Sequence, residues 1–428
     1  MSRIKLFVAL VALLIAPRLI AQNAVTDWNA IALQIIANAP CTTSTPPCPN
    51  PPSRPGPTGF LEGAVVQAAV YDAVESITGK FRPYHVQVPG ASGSTAAAVA
   101  KATHDILVGR LGSAAVTAFL DAKYHDYLAT HGIPEDDPGV SVGAAAAAGI
   151  IALRTGDGSF PSNPPVFIGG TNPGEWRPTP PAFASMLAPW LAHVTPLTLK
   201  SPSQFRPVAP PPLTSKRYAV DYNEVKAMGA ATGSSRTAEQ TSMALFFNAN
   251  YVVLWNQTTQ NIAIAQALNV DETARLFALM NLAMGDAAIT AWDSKLHYAF
   301  WRPLTAIQNG NDDGNPDTIG DPNWQPLIVN PPYPDYTSGA NNVTGAATRS
   351  LALLFGSDEM SFTLRTTNTA LPPQERERHY NRFSDVAADV VNGRTYEGIH
   401  FRSADEEARK QGRHVAQWVF GHFLQPVE

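Results

Sequence analysis

The chain has 428 residues, 45% of them hydrophobic and 15% charged, against an average charged share near ~25%. That composition buries a large core and excludes disorder for most of the length. A net charge of −5, with 30 Lys+Arg spread along the chain, excludes charge-driven nucleic-acid binding, and no internal apolar run reaches the roughly 18–20 residues that span a bilayer.

In chain order, Arg3 and Lys5 precede the apolar stretch Leu6–Ala16, and Ala21 closes the segment. This is the pattern of a secretory signal peptide over residues 1–22, cleaved near Ala21 or Gln22. Pro17-Arg18 interrupts the apolar run, so a stable membrane anchor is not expected. Removal leaves 27 basic against 35 acidic residues in an exported protein, periplasmic or extracellular. Cys41 and Cys48 sit in one Pro-rich loop, where export permits a local disulfide.

Of 37 prolines, eight fall in Pro40–Pro57 and fourteen in Pro161–Pro212, which excludes regular helix there. Helices are expected over Phe60–Ile77, Ser94–Leu111, Ser113–Thr130 and Ser141–Thr155, the last three starting near a capping Ser. They resume over Tyr218–Gly229, Ala238–Asn248, Asn261–Leu268, Asp271–Phe300, Ser338–Phe355, Glu375–Tyr396 and Asp405–Phe423. Val86–Val88 and Val166–Ile168 are the only strand-like runs. The fold class is all-α: two helical bundles joined and wrapped by long Pro-rich loops, with the middle excursion packed across the bundle surface. The expected division is an N-terminal helical region with its Pro-rich wrap at 23–235 and a C-terminal helical region at 236–428.

Three motifs in the C-terminal region point to chemistry. In Lys295-Leu-His-Tyr-Ala-Phe-Trp-Arg302-Pro303, seven residues of helix come within ~20° of two whole turns, so Lys295 and Arg302 share one face, with Arg302 in the last turn before Pro303. Two cations beside Trp292 and Trp301 suit either an oxyanion clamp or a surface pair at a helix C-terminus. In Pro331-Pro-Tyr-Pro-Asp-Tyr-Thr-Ser338-Gly339-Ala340, a Pro-rich turn delivers a hydroxyl and free N–H groups to a helix start, as an anion site or an ordinary Ser cap. In Gly393-Arg394-Thr-Tyr-Glu-Gly398-Ile-His400, Arg394 and His400 lie about 240° apart on a continuous helix, and Gly398 offers the break that lets them converge. Asn309–Gly314 approximates the start of a calcium loop, but its twelfth position is Gly320 rather than Glu, so an acidic turn is expected and not calcium.

Taken together and in this order, the motifs resemble those of the vanadium-dependent haloperoxidases and the related type 2 phosphatidic acid phosphatases. That superfamily reads Lys-x6-Arg-Pro, then Pro-Ser-Gly-His, then Ser-Arg-x5-His-x3-Asp. Further carriers are Asp27-Trp28-Asn29, Asp72-Ala73, Tyr218-x2-Asp221, Glu239-Gln240 and Phe300-Trp301-Arg302-Pro303, which extend the resemblance to the exported bacterial haloperoxidases over most of the mature chain. The resemblance implies a vanadate cofactor held by His400 as axial ligand, with Lys295, Arg302, Arg394, Ser338 and Gly339 on the equatorial oxygens. It implies hydrogen peroxide and a halide or small organic substrate as partners. In the phosphatase branch, His400 would instead be the nucleophile of a phosphomonoesterase. Large helical proteins of this kind commonly form homo-oligomers, and no residue pattern here specifies an interface.

Departures from the pattern matter as much. The second-motif His is Ala340 and its Pro is Thr337; Gly393 replaces the third-motif Ser; and Asp405 follows His400 by five residues instead of four, which puts its support of His400 in doubt. Asn341 and Asn342 supply amides that cannot titrate. Weakened acid–base chemistry is therefore expected, and at the limit an oxyanion-binding relic. Trp292 and Tyr333 map to aromatic positions that shape a pocket wall or pack a core.

Overall fold

The computed structural model describes residues 23–37, 54 and 56–427. The expected signal peptide and the Cys41–Cys48 loop lie outside the described residues. The N-terminal half contains α1 (Ala24–Ala37), α2 (Gly56–Thr78), α3 (Thr95–Leu111), α4 (Ala114–Thr130) and α5 (Pro138–Leu153). Beyond the Pro-rich excursion come α6 (Lys216–Met228), α7 (Ala238–Phe247), α8 (Tyr251–Ala265), α9 (Val270–Tyr298), α10 (Pro303–Gln308) and α11 (Gly339–Leu354). Strands β1 (Glu359–Arg365) and β2 (Glu377–Arg382), then α12 (Phe383–Tyr396) and α13 (Arg402–His422), complete the described chain. The class is all-α, with one small hairpin.

Helices α2, α3 and α5 pack on one another with α1 and α4 alongside, while α9, α11, α12 and α13 form a second bundle. The α2–α9 contact joins the two, and one apolar cluster contains residues of both halves. Helix α9 is buried on all sides from Leu276 to Lys295, as a central helix must be when partners cover every face. Helices α11 and α13 cross closely because Gly412 lacks a side chain: a Cβ there would lie 1.9 Å from the Asn342 carbonyl oxygen. Ser94, Ser113 and Ser215 cap α3, α4 and α6 through their side chains, and Asn269–Glu272 forms a capping box on α9.

Several expected elements are corrected. Helix α5 starts at Pro138, three residues before Ser141, and is capped by Asp137. Helix α8 begins at Tyr251 rather than Asn261, with Asn250 accepting from the Val252 and Val253 amides. Residues 377–382 are not the start of a helix but a strand paired antiparallel with β1. Phe362 and Tyr380 face each other in that register and bury with Leu364 and Phe383, a non-local pairing that local spacing does not announce. Neither strand-like run joins a ladder. The amides of Val86 and Val88 donate to Asp72 and Ser76, and Val166 and Ile168 are exposed. Helices α1 and α10 appear where none was expected.

The middle excursion packs as expected. Trp176, Met186, Trp190 and Leu191 bury against Ile289 and Trp292 of α9. Its far end is held by Asp286, fully buried on α9, which accepts from the Leu197 amide at 2.7 Å, the Thr198 amide at 2.8 Å and hydroxyl at 2.5 Å, and the Leu199 amide at 3.2 Å. Burial raises this carboxyl above its ordinary value despite those donors. Asp286→Ala leaves three buried amides unpaired, at roughly 1–3 kcal/mol each before relaxation. Urea denaturation should show a loss on the order of 3 kcal/mol, and an unchanged midpoint would mean the excursion is held elsewhere.

Candidate functional site

The first motif reaches the site by breaking the helix, not by continuing it. Helix α9 ends at Tyr298, and Ala299 takes a left-handed φ of 43°. The Trp176 amide donates to the Ala299 carbonyl at 2.7 Å, and the Trp301 amide donates to the Gly174 carbonyl at 2.9 Å, so the Pro-rich excursion holds the turn. Arg302 is therefore the N-cap residue of α10, with Pro303 in the first turn, and does not share a continuous helical face with Lys295. This corrects the expectation from spacing. Both side chains are nonetheless fully buried.

Arg302 donates through Nε to the Tyr333 carbonyl at 2.7 Å and through Nη1 to the Ile399 carbonyl at 2.7 Å. Nη1 also lies 3.1 Å from His400 Nε2, and Nη2 is buried without a partner. Lys295 Nζ donates to the carbonyls of Pro334 at 2.7 Å and Asp335 at 3.1 Å and lies 4.9 Å from the Tyr333 ring centroid. Burial, then Arg302, pulls its pKa well below the usual lysine range. The first motif is thereby tied to the second and third.

Gly398 supplies the break in the third motif, with φ 80° and room for a Cβ only 2.4 Å from the Gly229 carbonyl oxygen. The turn aims His400 at Arg302. His400 Nδ1 lies 2.6 Å from Asp335 Oδ1. A carboxylate can only accept there and a guanidinium can only donate, so Nδ1 carries the proton and Nε2 presents its lone pair. Burial, then Arg302, Lys295 and Arg394, holds the imidazole pKa well below its ordinary value. His400 is neutral, with a defined tautomer.

Asp335 is the residue that motif reasoning missed. It was visible only as part of the Pro331–Ser338 turn, and its pairing with His400 spans 65 residues. Burial pushes its carboxyl up to about 7, against Arg302 and Lys295. Asp405 does not support His400. It accepts from Asn341 Nδ2 at 2.8 Å and Thr395 Oγ1 at 3.4 Å, and it hydrogen-bonds Ser338. Ser338 is thus occupied by Asp405 and Asn341 and does not cap α11 with its side chain.

Arg394 lies 2.7 Å from Glu397, another buried carboxylate missed from sequence. Burial opposes the guanidinium charge, but Glu397 and its neighbours outweigh it and raise the pKa. Glu397 itself is pushed up to about 7, mainly by burial. Arg394 Nε is buried without a partner.

A cavity of about 220 Å³ opens onto these groups and is lined by Arg394, His400, Gly339, Ala340, Trp292 and Tyr333, among others. Lys295, Arg302 and Ser338 stand behind this lining. Trp292 and Tyr333 pack at a tilt of 57° with ring centroids 4.9 Å apart, and Trp292 Nε1 donates to the Leu187 carbonyl at 3.0 Å. They line the cavity and also pack in the buried apolar cluster, so both sequence readings apply. Asn341 and Asn342 do not line the cavity: Asn342 Nδ2 donates to Gln411 and Thr337, inside the α11–α13 packing. Among the described residues no carboxylate lines it either, which leaves Arg394, His400, Tyr251 and Tyr333 as the titratable groups of the described lining.

The Asn309–Gly320 loop is built around Asp313, which accepts from Thr318 Oγ1 and the Asn315 amide. With Asp313 and Asn315 buried, it is an internally bonded turn and not the solvated one expected. Among the described residues, no helix is long and apolar enough to cross a membrane.

The chain is similar to known proteins in sequence and in fold. Residues 275–428 match the VCPO second helical-bundle domain. A 149-residue stretch is 33% identical to vanadium chloroperoxidase of Curvularia inaequalis, covering 28% of this chain and 24% of that enzyme. The chain thus spans about a quarter of that relative's length. Among solved structures, it is similar to a bacterial vanadium-dependent iodoperoxidase, with TM-score 0.73 and 22% identity over 95% of this chain and 96% of that one. It is also similar to an apo-type bacterial vanadium-dependent chloroperoxidase, with TM-score 0.69 and 18% identity over 85% and 92% of the two chains. At those identities the two structures show the fold. The domain match and the identity to the chloroperoxidase together identify residues 275–428 as a haloperoxidase-type second helical-bundle domain, within a chain that has the fold of the bacterial vanadium-dependent haloperoxidases.

Proposed function

We propose that this protein is a vanadate-dependent oxidoreductase that uses hydrogen peroxide to oxidise halide, with weakened acid–base chemistry. The observation that carries the reading is the neutral His400, its Nε2 lone pair beside Arg302, in a cavity it shares with Arg394. The residues present fit an oxyanion: Arg302 Nη2 and Arg394 Nε are buried donors without acceptors. His400 would hold vanadate through Nε2, with Arg302, Arg394 and Lys295 balancing its charge and Gly339 at the α11 N-terminus facing it. Vanadate would supply Lewis-acid activation of peroxide there.

The chain's own residues do the rest. Asp335 fixes the tautomer by accepting from Nδ1, the role of a carboxylate behind a ligating histidine. Arg302 keeps the ring oriented through Nη1. Trp292 and Tyr333 wall the cavity and keep water from the cations. Ala340 lines the same cavity and brings no titratable group where a base would stand. General acid–base help is typically worth ~10²–10⁴-fold, so turnover is limited by that absence.

Asp335 should act through His400. Asp335→Ala should weaken orthovanadate binding by about 10–100-fold, while Asp335→Asn, which keeps an acceptor, should recover much of it. Equal losses in the two variants, read by equilibrium dialysis, would count against a positioning role.

The function itself is tested by one paired assay: bromide, peroxide and orthovanadate in one arm, and a phosphomonoester without vanadate in the other. Wild type should oxidise bromide only with vanadate, and His400→Ala should abolish this while remaining folded. Ala340→His should raise the rate at least roughly tenfold, because an imidazole titrates near neutral pH. Phosphomonoester hydrolysis without vanadate-dependent oxidation would replace the proposal with the phosphatase reading. Silence in both arms would leave a relic.

A further inference from the structure

A second group of cations lies away from the central cavity, on the outer part of the α11–α13 pair. Arg349 on α11 and Arg409 and Arg413 on α13 line a cleft of about 350 Å³ together with Thr348, Asp358 and Ser384. Arg349 is nine residues beyond Ala340, roughly 14 Å along the helix axis. Arg409 and Arg413, four apart, project from the same side of α13.

These guanidinium groups lack the partners their surroundings would lead one to expect. Elsewhere, Arg154, Arg206 and Arg402 pair with Asp157, Asp293 and Glu224 at 2.6–2.7 Å. In this cleft, none of the three has an ion pair or side-chain hydrogen bond among the described residues, and Arg349 Nε is buried without an acceptor. The one carboxylate on the wall, Asp358, is already engaged. Its Oδ1 accepts from the Ser384 amide at 3.0 Å and its Oδ2 from the Ser384 hydroxyl at 2.5 Å, at the start of α12. Three like charges from two helices share the cleft with that single carboxylate, and the excess positive charge is self-repelling unless an anion joins them.

We propose that this cleft is a second oxyanion site, which takes a free tetrahedral dianion of the phosphate or sulfate class between α11 and α13. Guanidinium forks approaching from two helices match the oxygens of such an ion better than they match a single carboxylate. The site needs none of the residues of the central cavity, so it stands whether or not vanadate binds there.

Inorganic phosphate is the probe, titrated by calorimetry against chloride of matched ionic strength. Wild type, Arg349→Gln/Arg413→Gln and Arg394→Ala are compared, with circular dichroism and urea midpoints confirming that each is folded. The double variant should lose a phosphate equivalent that Arg394→Ala retains, with affinity at that site falling at least tenfold. Unchanged phosphate binding in the double variant would overturn the proposal, and so would equal heats from chloride. A change of oligomeric state in the double variant without a change in phosphate binding would also overturn it, and would make the cluster a subunit contact.

Discussion

Arg302 is the group on which the site depends. Its guanidinium is fully buried, and its bonds run to the Tyr333 carbonyl of the second motif, the Ile399 carbonyl of the third and the imidazole of His400. A buried cation is costly unless its donors are satisfied, so the two loops must close around it. One donor, Nη2, is left over, buried without a partner on the guanidinium that touches His400.

That convergence needs support from far away in sequence. The turn between Lys295 and Arg302 is held by Gly174 and Trp176 of the Pro-rich excursion, and Leu187 bridges Trp292 and Pro332 through its carbonyl and amide. Asp286 pins the far end of the same excursion to α9. A long loop without regular structure is thereby part of the site's framework rather than a linker. The buried carboxylates Asp335, Glu397 and Asp405 play a matching part, each standing near the three buried cations and each displaced upward by burial. They offset the repulsion among Lys295, Arg302 and Arg394 that would otherwise oppose folding.

Much of this was legible from residues alone, for identifiable reasons. Helix starts carried by Ser94 and Ser113 are local signals, and Gly398 announced a break that the positive φ bears out. Of the six candidate site residues, Gly339, Arg394 and His400 line one cavity, while Arg302 contacts His400 and Lys295 bonds the Pro334 and Asp335 carbonyls. What stayed hidden is non-local. Asp335 reaches His400 across 65 residues, β2 is decided by its pairing with β1, and the end of α9 at Tyr298 depends on a strand of chain more than a hundred residues earlier. Helical spacing could not separate a continuous helix from two segments joined by a left-handed residue.

The central claim is that the motifs build one oxyanion site ending on His400 Nε2. A crystal structure with orthovanadate, phased to show the vanadium by its anomalous scattering, tests it most directly. The account predicts a single strong peak at bonding distance from His400 Nε2, with its oxygens in hydrogen-bond range of Arg302 and Arg394. A peak seated away from His400, or a cavity empty at saturating vanadate, would contradict it.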